Sequence, residues 1–156
     1  MVAHRTFPPI QNIWKTLART VLIDTGPLVA LFRRRDQFHQ WVKTVLSEDQ
    51  FKFITCEPVL KETLFLTNNN PAVVNAISGM MDENLLEIES ALSLFKKEVF
   101  QLMQKYHDQN TSLADISLLA LYNNTDEASL LTTDSDFLVY RDLQGKPLNL
   151  ISPYKT

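Results

Sequence analysis

Four carboxylates stand where the surrounding residues are least suited to them. Asp24 closes the apolar run Val21-Leu22-Ile23, and Asp134 follows Leu130-Leu131-Thr132-Thr133. Glu62 interrupts Pro58-Val59-Leu60-Lys61-Glu62-Thr63-Leu64-Phe65-Leu66, and Asp115 interrupts Ser112-Leu113-Ala114-Asp115-Ile116-Ser117-Leu118-Leu119-Ala120. An acid within a largely apolar element is costly unless a positive group compensates it. Hard carboxylate oxygens suit Mg²⁺ or Mn²⁺, so the chemistry on offer is that of a divalent metal site. Each acid also has a plainer use. Asp115 lies three residues after Ser112 and suits a capping box. Asp134 and Asp136 suit a turn that hydrogen-bonds its own backbone, and Glu62 suits a solvated helix face paired with Lys61.

Other chemistries find no parts here. Glycine occurs only at positions 26, 79 and 145, which builds neither a Walker loop nor a dinucleotide fingerprint. Three dispersed histidines and one cysteine do not make a zinc site. His39 lacks a Ser or Cys partner pattern for nucleophilic catalysis and reads as structural. Cys56, just before Glu57-Pro58, reads as core or loop packing. An aspartyl-phosphate enzyme of the haloacid-dehalogenase type needs a second acid two residues after the first, and Gly26 stands there. No helix-turn-helix or RNA-recognition signature is visible.

The elements that must position these acids alternate along the chain. Val21 to Ile23 reads as a buried strand, with Gly26-Pro27 turning it into a helix. Phe38, Trp41, Val42, Val45 and Leu46 mark a helix face, and Phe51 to Thr55 a second strand. Pro58 opens a helix to about Thr67, which Asn68-Asn69-Asn70-Pro71 ends. Val73, Val74, Ile77, Met80 and Met81 give another helix, and Leu85 to Ile88 a short strand. From Ser90, an N-cap, one long helix is expected through Tyr106 on Leu92, Phe95, Val99, Leu102 and Met103. Ser112 to about Tyr122 is a further helix. Ser129 to Thr132 is a fourth strand and Leu148 to Ile151 a fifth. Strands separated by helices imply a parallel α/β sandwich. Acids at the carboxyl ends of the first and fourth strands lie where open parallel sheets bind ligands.

The chain has 156 residues, 45% of them hydrophobic, which fits one continuous domain over 1–156. Residues 1–19 form an N-terminal extension; Ile10, Ile13, Trp14 and Leu17 predict a short helix packed on the body of the domain. The composition excludes a disordered or collagen-like chain. No apolar run approaches the roughly 18 residues of a membrane span, and no signal-peptide pattern leads the chain. With a single cysteine, a reducing, cytoplasmic setting is the expectation. Taken alone, the net charge of −3 is unsuited to a nucleic-acid partner. Removing Asp24, Glu62, Asp115 and Asp134 from the 18 acids leaves +1 for the rest, and Arg33-Arg34-Arg35 follows the first acid closely. That cluster suits phosphate contacts beside the site as well as it suits a solvated helix end.

Asp24-Thr25-Gly26-Pro27-Leu28-Val29-Ala30-Leu31 resembles the opening motif of PIN-domain ribonucleases. Glu62 in its apolar helix is similar to the second acid of that family, Ala114-Asp115 to the third, and Thr132-Thr133-Asp134-Ser135-Asp136-Phe137 to the fourth motif. The order agrees, with 38, 53 and 19 residues between successive acids, and the resemblance covers about residues 20–152. It implies a PIN-like α/β/α sandwich around a mainly parallel sheet of four or five strands. It further implies an endoribonuclease dependent on Mg²⁺ or Mn²⁺, in which Asp24, Glu62, Asp115 and Asp134 are catalytic and metal-binding. Asp136 is a further candidate ligand, Thr25 and Thr133 are supporting hydroxyls, and Arg33, Arg34 and Arg35 are candidate RNA contacts. Many small members are VapC-like toxins, blocked by an antitoxin and usually homodimeric. The chain departs from the minimal domain in its first 20 residues and in an enlarged connection from Pro71 to Ile88. The alternative from another class is a non-catalytic PIN-like module that binds RNA or protein. Four retained acids weigh against it.

Overall fold

The computed structural model describes residues 18–154; the helix expected around Ile10 to Leu17 lies outside them. Five strands, β1 (Arg19–Ile23), β2 (Phe51–Thr55), β3 (Leu86–Ile88), β4 (Leu130–Leu131) and β5 (Leu150–Ile151), pair in the order β3-β2-β1-β4-β5. Every pairing is parallel. Val21, Leu22 and Ile23 are all buried. Successive strand residues face opposite ways, so β1 is covered on both faces, as a parallel sheet between helices requires. The fold is the expected α/β architecture, with five strands and seven helices among the described residues.

The helices are α1 (Thr25–Phe32), α2 (His39–Glu48), α3 (Glu57–Leu66), α4 (Pro71–Asp82), α5 (Ala91–Leu94), α6 (Lys96–Lys105) and α7 (Leu113–Asn123). Ala114 to Leu121 are buried without a break, so α7 is a core helix packed against β1 rather than a surface one. The asparagine run after α3 works as expected. Asn68 and Asn69 take left-handed φ of 56° and 51°, and Asn70 caps α4 by accepting from the Ala72 N–H.

Two expectations need correction. The single helix from Ser90 to Tyr106 is two helices, because Phe95 leaves the helical region (φ −134°, ψ 40°). Ala91 is buried while Leu92 and Leu94 are exposed, so the buried stripe of α5 does not run straight into that of Val99 and Leu102. Turning the chain at Phe95 lets both short helices pack on α7. The second correction concerns α3. It buries only Val59 and Thr63, leaving Glu62 exposed, so that acid does not carry the burial cost its apolar neighbours suggest.

The sheet order also fixes where a site can form. From β1 the chain moves outward one way through β2 and β3, then returns to β4 on the other side of β1. The crevice at this reversal opens at the carboxyl ends of β1 and β4, beside Asp24 and Asp134.

Candidate active site

Asp24 ends β1 in extended conformation (φ −86°, ψ 170°) and caps α1. Its Oδ1 accepts from the Thr25 N–H at 2.7 Å, and its Oδ2 accepts from the Thr132 hydroxyl at 2.8 Å. The Thr132 Oγ1 in turn accepts the Asp134 N–H at 3.0 Å, so one buried hydroxyl ties the end of β1 to the segment after β4. Gly26 completes this junction. A Cβ at position 26 would lie 2.0 Å from the Thr133 Oγ1, so glycine here leaves room for that hydroxyl.

Asp115 sits in the first turn of α7. Ser112 caps that helix by accepting the Asp115 N–H at 3.1 Å. The Asp115 Oδ2 accepts from the Tyr140 hydroxyl at 3.0 Å, and the same hydroxyl lies 2.5 Å from the Thr111 Oγ1. The Tyr140 ring is held edge to face by Tyr106 and Phe137, with centroids 4.9 and 5.3 Å away. Asp134 caps a 3-10 turn (Ser135–Leu138), its Oδ1 accepting from the Asp136 N–H at 2.8 Å. Glu62 reaches the group from α3, and its Oε2 accepts from the Thr25 hydroxyl at 3.2 Å.

These acids line one cavity of about 610 Å³. Burial pushes the Asp24 carboxyl up to about 7, against the pull of its bonds from Thr132 and Thr25, with Asp115 and Asp134 adding repulsion. Burial likewise raises Asp115, offset by the Tyr140 bond and reinforced by Asp134. Among the described residues the salt bridge found is Lys52–Glu87, at 3.3 Å and away from the cavity. The acids therefore gather without a side-chain cation paired to them among the described residues.

A divalent ion fits this donor set in chemistry and charge. Among the described residues no three His, Cys, Asp or Glu side chains close on one point at coordinating distance.

The structure brings Thr25, Thr133, Asp136 and Arg33 to the same cavity. Thr25 supports the site with its hydroxyl, which donates to Glu62. Thr133 packs on Gly26, while the hydroxyl that bonds Asp24 belongs to Thr132. Arg33 donates to the Leu66 carbonyl; Arg34 and Arg35 are exposed and outside the lining. His39 bonds the Ala30 carbonyl through Nδ1 at 2.6 Å, the structural use expected of it. Cys56 is fully buried and its thiol is pushed up to about 11, chiefly by burial. Thr132 and Tyr140 were missed. Thr132 carried a signal, being a polar residue at a buried strand end, whereas nothing in the sequence links Tyr140 to Asp115 across 25 positions.

The PIN domain family model matches residues 21–143, which include all four acids. The chain belongs to the PIN-domain family. Solved structures share this PIN fold. Mycobacterium tuberculosis VapC20, a sarcin–ricin loop cleaving toxin, superposes with a TM-score of 0.64 at 18% identity, over 74% of this chain and 91% of that one. A toxin–antitoxin complex from Klebsiella pneumoniae gives 0.59 at 19% identity, over 87% and 99%. At such identities the likeness is one of fold. No curated protein sequence matches the chain. Beside the acid cavity the PIN domain carries a second, more apolar groove of about 890 Å³, where Phe65, Leu92 and Leu113 are exposed and Glu62 and Ser112 are shared. Among the described residues no helix is long and apolar enough to cross a membrane.

Proposed function

We propose that this PIN domain is an endoribonuclease that hydrolyses RNA phosphodiester bonds with Mg²⁺ or Mn²⁺. The observation that carries the reading is the meeting of Asp24, Glu62, Asp115 and Asp134 around one cavity with no side-chain cation paired to them among the described residues. Asp24, Asp115 and Asp134 would hold the ion, with Asp136 at the edge of the set. A bound divalent ion supplies charge neutralisation at the attacked phosphate and acidifies nearby water. Thr132 and the Thr25 N–H hold the Asp24 carboxylate in one orientation, and Tyr140 does the same for Asp115. Glu62, exposed and bonded by Thr25, is free to accept a proton from the attacking water. Arg33 adds positive charge on the substrate side of the cavity.

A toxin role, with a small antitoxin as partner and a homodimer as working form, is the finer reading. Its support is the fold shared with a VapC toxin and with a toxin–antitoxin complex, together with exposed apolar side chains next to the cavity. A cytoplasmic setting goes with it. The test is cleavage of a set of structured RNAs with and without Mg²⁺ or Mn²⁺. Cleavage is expected only with the ion, and to fall at least 100-fold in Asp24→Asn and Asp115→Asn. Metal-independent cleavage, or full activity in both variants, contradicts the proposal. Tight RNA binding without any cleavage favours the non-catalytic module instead.

A further inference from the structure

The acid cavity is larger than an ion needs. A divalent ion with six waters takes up roughly 180 Å³ at about 30 Å³ per water, against a cavity of about 610 Å³. The space beyond the acids has a different lining: Gln37 and Phe38 from the loop before α2, Asn110 before α7, and Tyr154 after β5.

Phe38 and Tyr154 are 116 positions apart in sequence, yet their rings meet edge to face, with centroids 6.3 Å apart and an interplanar angle of 70°. Such a contact leaves ring face uncovered, and Tyr154 keeps 41% of its surface exposed. Both residues are tied at their backbones. The Phe38 N–H donates to the Asp36 Oδ1 at 2.9 Å, and the Tyr154 N–H donates to the Ser152 Oγ at 3.1 Å. Exposed ring face at the rim of a polar cavity is unfavourable in water. A flat π-system covers it well, and unpaired nucleobases bind proteins by stacking on such rings. Gln37 and Asn110 are both exposed on the same rim, and their amides offer donors and acceptors matched to the edge of a base.

We infer that Tyr154, backed by Phe38, is a stacking subsite for one unpaired nucleobase of an RNA whose phosphate lies at the acids. The inference rests on the proposed reading of the cavity as an RNA-cleaving site and names the part of the substrate it grips. It implies a preference for loops and single strands, because a paired base is already stacked and cannot enter.

The experiment uses a fluorescein-labelled single-stranded RNA octamer and a series of the same octamers with one abasic position. Binding is read by anisotropy in the full chain carrying Asp24→Asn, which prevents cleavage, alone and combined with Tyr154→Phe, Tyr154→Leu or Tyr154→Ala. Tyr154→Ala and Tyr154→Leu are expected to weaken binding about 10-fold, and Tyr154→Phe less than 2-fold. One abasic position should cost about the same with Tyr154 present and nothing further with Tyr154→Ala. In the cleaving chain, Tyr154→Ala should raise KM with kcat unchanged. Equal binding by the Tyr and Ala forms, or full rescue by leucine, overturns the subsite while leaving RNA cleavage standing. No binding of any octamer by either form, together with no RNA cleavage by the chain with Asp24 intact, overturns both the subsite and the reading it rests on.

Discussion

At the residue scale, the two buried acids differ in how they are held. Asp24 is gripped on both oxygens by donors next to it in the fold, Thr25 and Thr132. The Asp115 carboxylate is held by Tyr140, which comes from beyond the fourth motif. Tyr140→Phe removes that hydroxyl while keeping the ring between Tyr106 and Phe137. Outer groups of this kind typically contribute 10–100-fold to metal affinity. A Mn²⁺ titration of Tyr140→Phe is therefore expected to show affinity lowered by about 10-fold or more, with far-UV circular dichroism unchanged. Affinity equal to that of the parent chain would assign Tyr140 to packing alone. Gly26 makes a second, steric prediction. In Gly26→Ala the new Cβ meets the Thr133 Oγ1 at 2.0 Å, so stability should fall by about 1–3 kcal/mol in urea unfolding. Adding Thr133→Ala, which removes the clashing hydroxyl, should restore most of it.

At the scale of elements, the core is uneven in what it tolerates. Leu118 on α7 is fully buried, whereas Leu113 on the same helix is 42% exposed. Leu118→Ala is expected to cost about 2–5 kcal/mol and Leu113→Ala well under 1 kcal/mol, read by denaturant midpoints at constant slope. Near-equal losses would mean that α7 is not the buried helix described. The order and kind of the elements were legible because the strands are short, largely apolar runs and four of the described helices begin at a capping Asp, Asn or Ser. Asp24 and Asp134 could be placed together from the sequence because a parallel sheet binds ligands at its carboxyl ends. The break at Phe95 was not legible. It depends on both short helices, with Ala91 and Val99 buried, packing against α7, a tertiary demand that local periodicity does not encode. The exposure of Glu62 was hidden for the same reason, since Phe65 and Leu66 beside it are apolar yet exposed. Tyr140 escaped notice because a hydrogen bond across 25 positions leaves no local pattern.

At the scale of the whole molecule, the site opposes the stability of the fold. Asp24 is raised from 3.8 to about 7, so the folded state binds its proton more tightly than the unfolded chain does. The stability from this group is fully present below about pH 4 and is lost as pH rises through about 7. The loss is on the order of 4 kcal/mol at full ionisation. Asp115 is shifted in the same direction. Asp24→Asn keeps the shape without the charge, and the Thr132 hydroxyl can turn to accept from the new amide. Without metal, its melting temperature should exceed that of the parent chain by a margin that grows between pH 4 and 7 and then levels off. A margin that shrinks over that range would show that burial does not hold the Asp24 proton. An ion between the acids should reverse this penalty, because it binds the ionised form.

That reversal is the most direct test of the account. The measurement is the melting temperature at pH 8 as Mn²⁺ is added from a metal-free start, for the parent chain, Asp24→Asn and Asp115→Asn. Mn²⁺ is expected to raise the melting temperature of the parent chain in a saturable way. Both variants should start higher and hardly respond. A parent chain indifferent to Mn²⁺, or variants that respond as it does, would contradict a divalent site at these acids.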